Sequence, residues 1–265
     1  MTQIGELIAI SNIADDKVKC PFCPDKNLDD CKSKEDEKLD LKVKSKPSQL
    51  NVTRLSPKGD FDYTTAQHHL ISAKQCYAKL KRLVRMGAIA KYDINDPPNG
   101  IALPTVANNL RYTVGNSTKK KYGGLSPAEK KTVAFSVMQT EGAQWHVGHH
   151  AVTVELHENW ANEEEDTPWR RGHLVSYDNE VINKLLKLLA KFEPEGHCDE
   201  EKPDNFKKEM DALSKEIKGK LEKFKTKRPG DSSPFFVSQL AADYAKSTET
   251  VPQVNVNQRS RSKKK

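Results

Sequence analysis

The chain holds eight histidines, and five of them fall in two short clusters: His68 and His69 in AQHHLIS, and His146, His149 and His150 in HVGHH. Neutral imidazole is a metal ligand, and histidine is the side chain whose ordinary pKa suits taking a proton from water near neutrality. AQHHLI reads as a strand edge, and neighbouring side chains of a strand point to opposite faces. His68 and His69 therefore do different jobs, one facing a metal and the other a substrate. His146 and His150, spaced i and i+4, share one face if that segment is helical, where they can present two imidazoles to one ion. With His68 as a third imidazole the ion keeps open positions, which a catalytic rather than a structural metal needs. His69 is then placed to deprotonate water as a general base. Such a base needs an orienting partner, and Asn99, in the tight PPNG turn, is the candidate. His149 points away from the 146/150 face and ranks below the others.

These residues must be positioned by their surroundings. LNVTRL reads as a strand, and SPKGDFDY as a turn leading into the histidine pair. SAKQCYAKLKRLVRMGAIA has a helical apolar period, and NDPPNG is turn chemistry before the apolar strand IALPT. Ser126-Pro-Ala-Glu supplies a cap, a first-turn proline and an early acid for a helix running to about Gln139. AVTVELHENWANEEED reads as another helix. DNEVINKLLKLLAKF and PDNFKKEMDALSKEIKGKLEKFKTK are amphipathic helices, and SSPFFVSQLAADYAKS ends in a small docked helix. The expected class is α+β, predominantly helical.

The boundaries follow from composition. Residues 1–50 form a cysteine-containing segment and charged linker, with Lys32 to Gln49 nearly empty of large apolar residues. A core is expected over 51–165, a helical extension over 166–250, and a disordered basic tail over 251–265, ending QRSRSKKK.

The ordered set of histidine pair, asparagine and spaced histidines resembles the His-Asn-His, or His-Me finger, nucleases. More closely, AQHHLIS, NDPPNGIALPT and WHVGHH resemble the successive motifs of the AHH subfamily in the His-Asn-His and endonuclease VII superfamily. The resemblance covers about Tyr63 to Trp160. It implies a ββα-metal core with His68, His146 and His150 as metal ligands, His69 as general base and Asn99 as the orienting or hairpin residue. It implies one divalent ion, with magnesium, manganese, nickel and zinc all compatible. The implied activity is low-specificity endonuclease cleavage, of DNA rather than RNA. Such domains are toxin tips of polymorphic toxins and type VI secretion effectors, so a cognate immunity protein and a secretion-machinery component are the implied partners. The amino terminus lacks a signal-peptide pattern, and synthesis in a bacterial cytoplasm with injection into a target cell is what the resemblance implies.

Composition limits the remaining classes. Charged residues make up 31% and hydrophobic residues 35% of the 265 residues, and no apolar run is long enough for a membrane span. The net charge of +7 suits a polyanionic partner. Arg111, Lys119, Lys120 and Lys121 are candidates to grip phosphates, set against a plain solvated loop. The five cysteines do not read as a disulfide framework. Cys20, Cys23 and Cys31 are either structural zinc ligands short of a fourth or incidental thiols in a mobile segment. The competing functional account is a non-catalytic, metal-stabilised protein that docks nucleic acid or a secretion component.

Overall fold

The computed structural model describes residues 20–23, 42–56, 63–105, 110–115, 118–147, 153–155, 174–192, 201–226, 235–247 and 254–255. In chain order its elements are β1 (Lys42–Lys44), β2 (Thr64–His69), α1 (Lys81–Ile89), β3 (Gly100–Thr105), β4 (Arg111–Val114), β5 (Lys120–Lys121), α2 (Pro127–Glu141), β6 (Thr153–Glu155), α3 (Val175–Ala190), α4 (Glu201–Glu222), α5 (Gln239–Lys246) and β7 (Val254–Asn255), with short 3-10 turns between them. The chain is mixed α/β, and helix outweighs strand. The strands form three small antiparallel groups: β1 with β6, β2 with β3, and β5-β4-β7.

The helices start and stop where local chemistry directs. Ser126 Oγ accepts from Glu129 N at 3.3 Å, and Glu129 Oε2 accepts from Ser126 N at 2.7 Å, a reciprocal capping box in front of Pro127. Gly142, at φ +63°, ends α2 by donating to Met138 O. In α3, Val181, Ile182, Leu185, Leu188 and Leu189 make one buried stripe. In α4, Phe206, Met210, Leu213, Ile217 and Leu221 make another. Each large apolar side chain so buried contributes about 1.5–3 kcal/mol, which outweighs the many charged residues on the outer faces.

Two apolar clusters result. The first joins Leu70, Ile71, Ile101 and Leu103 to α1, α3 and α4. The second gathers Tyr63, Tyr112 and Trp145 around α2 and α5. Gly87 in α1 marks one close approach, because a Cβ there would lie 1.9 Å from the Tyr77 hydroxyl and 3.2 Å from its ring carbon. Alanine gains about 1 kcal/mol of helix propensity over glycine, but overpacking a buried, rigid ring costs about 1–3 kcal/mol. The Gly87→Ala variant is therefore expected to be less stable than the parent, read as a lower midpoint in urea unfolding.

Several expectations are corrected by the tertiary structure. Part of the presumed linker is structured: β1 pairs with β6, Pro47–Gln49 forms a 3-10 turn, and Leu50 is fully buried. Cys20, Phe22 and Cys23 sit in the first cluster, with Phe22 edge-on to Phe192 and Phe206. Arg82 ties this stretch down by donating from Nε to Pro21 O at 2.8 Å. Residues 51–55 make no strand, and Thr153–Glu155 is a strand where a helix was expected. Val254–Asn255, assigned to the disordered tail, pairs with Thr113–Val114. Within 166–250, α3 and α4 share the first cluster with residues of and beside the β2/β3 pair.

Candidate metal and base site

The site is built on the β2/β3 pair. His68 lies opposite Ile101, and His69 opposite Gly100, the last pair before the strands part. A Cβ on Gly100 would come within 2.7 Å of Val52, so the residue opposite His69 has room for no side chain. Beyond the strands, Leu70 N donates to Asn99 O at 2.9 Å. The Asn99 side chain then clamps the same corner: Oδ1 accepts from Ile71 N at 2.8 Å and from Ser214 Oγ at 3.3 Å, and Nδ2 donates to Ile94 O at 2.8 Å and Ile71 O at 3.2 Å. Asn99 therefore holds the hairpin corner, and its described contacts do not include His69.

The two adjacent imidazoles do face apart. His68 meets His146 edge to face with ring centroids 5.0 Å apart, and Tyr177 at 6.2 Å. His146 is brought there by the end of β3, with His146 N donating to Pro104 O at 2.9 Å and Thr105 Oγ1 donating to His146 O at 3.0 Å. The residues before it are pinned by the chain near 235–238. Gln144 bonds Phe235 O and Val237 N, each at 2.9 Å, and Ser238 Oγ donates to Trp145 O at 2.6 Å. Residues 144–147 are irregular rather than helical. His149, His150 and Cys31 lie outside the described residues.

Tyr177 reaches the His68 ring from α3, donating to Leu70 O at 2.8 Å. Burial, and then the neighbouring Cys76 and Asp178, push its hydroxyl well above the ordinary range, so it remains a donor. Burial and the Asp178 carboxylate likewise push the Cys76 thiol up, favouring the protonated form.

On the other face, His69 Nε2 is 3.1 Å from Asn95 Oδ1, and Nδ1 is 3.5 Å from Ser45 Oγ. The amide beside the His69 ring is thus that of Asn95, while Asn99 stands at the hairpin corner. Asn95 and Ser45 were both missed from sequence, because Asn95 reads as an ordinary turn residue in YDIND and Ser45 as one polar residue in a charged run. The only available signal was local: Asp93 accepts from Asn95 N at 2.9 Å, an Asp-x-Asn turn.

The 5.0 Å between the His68 and His146 ring centroids is close to the spacing of two imidazoles sharing an ion, about 5 Å, and is equally the spacing of an ordinary edge-to-face ring pair. Among the described residues no group of three or more His, Cys, Asp or Glu is gathered to hold an ion. Cys20 and Cys23 are adjacent across a turn closed by Cys23 N donating to Cys20 O at 3.2 Å. Of the candidate phosphate grips, Arg111, Lys119, Lys120 and Lys121 are all exposed, Arg111 stands opposite Lys121 across β4 and β5, and Lys120 pairs with Glu129 at 3.1 Å. None of the described helices is long and apolar enough to cross a membrane.

No protein-family model, curated protein or solved structure matches the chain.

Proposed function

We propose that the chain is a metal-dependent endonuclease of low sequence specificity, acting on DNA more readily than RNA. The observation that carries this reading is the meeting of His68 and His146 edge to face with ring centroids 5.0 Å apart, with His69 on the adjacent position held by an amide. His68 and His146 would hold a divalent ion, with His150 as the third imidazole by resemblance. Such an ion supplies positive charge to a phosphate oxygen as negative charge builds in the transition state. His69 accepts the proton of the attacking water. Asn99 keeps β2 and β3 in register at the corner where both imidazoles leave the strand. The ββα-metal arrangement, and the roles of antibacterial effector, immunity partner and delivery by a secretion machine, rest on the motif resemblance.

One observation favours a second reading. His68, His69 and His146 are 0%, 2% and 2% exposed, and a substrate phosphate must reach them. A buried imidazole pair suits a closed structural metal that stabilises a binding protein. Plasmid cleavage by the purified chain, after EDTA and with magnesium, manganese, nickel or zinc added back, separates the two. The nuclease reading expects cutting restored by metal in the parent and absent in His68→Ala. Stable metal binding without cutting under any metal, on DNA or RNA, would leave the binding protein as the account.

A further inference from the structure

Asn95 makes more contacts than a turn residue requires. Its Nδ2 donates to Lys44 O at 2.7 Å and to Asp93 Oδ1 at 2.8 Å, while its Oδ1 accepts from Lys46 N at 2.6 Å. A backbone N–H can only donate and a backbone carbonyl can only accept. The Lys46 N–H requires the amide oxygen on one side, and the Lys44 carbonyl requires the NH2 on the other. Both come from the same short stretch, Lys44 to Lys46, so rotating the amide by half a turn would break both bonds at once. The amide orientation is therefore set by the backbone, independently of His69.

That orientation decides the chemistry of the imidazole. Asn95 Oδ1, at 3.1 Å, has lone pairs only, so His69 Nε2 must carry the hydrogen. We infer that Asn95 is a positioning residue that fixes His69 as the Nε2–H tautomer, which makes Nδ1, on the side of Ser45, its proton-accepting nitrogen. In the nuclease reading, on which this second half rests, water is activated at Nδ1. The stretch from Lys44 to Lys46 then belongs to the active centre: it supplies Ser45 to one ring nitrogen and locks the amide that holds the other.

Two-bond and three-bond proton–nitrogen ring correlations on the 15N-labelled full chain, recorded in EDTA at a pH where His69 is neutral, read the tautomer directly. A His69→Gln variant identifies the signals. The expected pattern is a pyrrole-type shift at Nε2 and a pyridine-type shift at Nδ1. Asn95→Ala and Asn95→Ser, the latter too short to reach the ring, are expected to let both tautomers appear. They are also expected to lower kcat of metal-dependent cleavage at least tenfold with KM kept. The Nδ1–H pattern in the parent overturns the inference, as does an unchanged pattern in both variants. If neither variant folds, the parent spectrum alone decides. If the parent cuts no nucleic acid but shows the Nε2–H pattern, the tautomer assignment stands and the nuclease reading falls.

Discussion

Removing the His69 imidazole is expected to lower metal-dependent cleavage by about 10²–10⁴-fold, the range for losing a positioned general base. The ring is 2% exposed and bridges Ser45 and Asn95, so deletion also leaves a polar cavity. His69→Gln keeps much of the volume and a polar end, and it is the cleaner test. Single-turnover rates on a labelled duplex, beside titration calorimetry with manganese or nickel, separate base loss from metal loss. The expected pattern is slow cutting with metal affinity near that of the parent. A His69→Gln enzyme that cuts at the parent rate would remove His69 from the mechanism. The opposite pattern belongs to His68→Ala, where metal affinity and cutting should fall together.

Asn99→Ala should show the largest effect on stability. The side chain is 1% exposed and joins Ile71, Ile94 and Ser214 through four hydrogen bonds, three of them to backbone groups. Each buried polar group left without its partner costs about 1–3 kcal/mol, so a total of about 3–5 kcal/mol is expected. Denaturant unfolding monitored by circular dichroism measures it. A loss below about 1 kcal/mol would mean that the corner survives without the amide. Asn99 does bear on catalysis in this account, but by holding the corner that carries His68 and His69. Any lost activity should therefore follow the folded fraction, unlike that of His69→Gln.

The residues themselves show why some of this was legible in advance. The start of α2 was readable because Ser126, Pro127 and Glu129 act on one another within a single turn. The stripes of α3 and α4 were readable because helical period puts Val181 with Leu185, and Phe206 with Met210, on one face whatever they pack against. The opposed facing of His68 and His69 follows from strand geometry alone. β1 and β6 were not readable: each is three residues long, and their pairing spans more than a hundred positions. Short strands take their conformation from partners rather than from their own propensity.

The candidate site divides in the same way. Sequence alone determined the chemical inventory, with a histidine pair on a strand, a turn asparagine ahead of the next strand and a second histidine cluster downstream, because residue type and local period carry that information. Only the tertiary structure decided the assignments. It brought His146 to His68 through Pro104 and Thr105, placed Asn95 instead of Asn99 on His69, and drew Ser45, Tyr177 and Ser214 from segments read as linker or extension. Those contacts join residues 24 to 115 positions apart. Which polar groups meet at such separations is settled by how the core packs and by the need to partner every buried donor and acceptor, and neither is written in any short stretch of the chain.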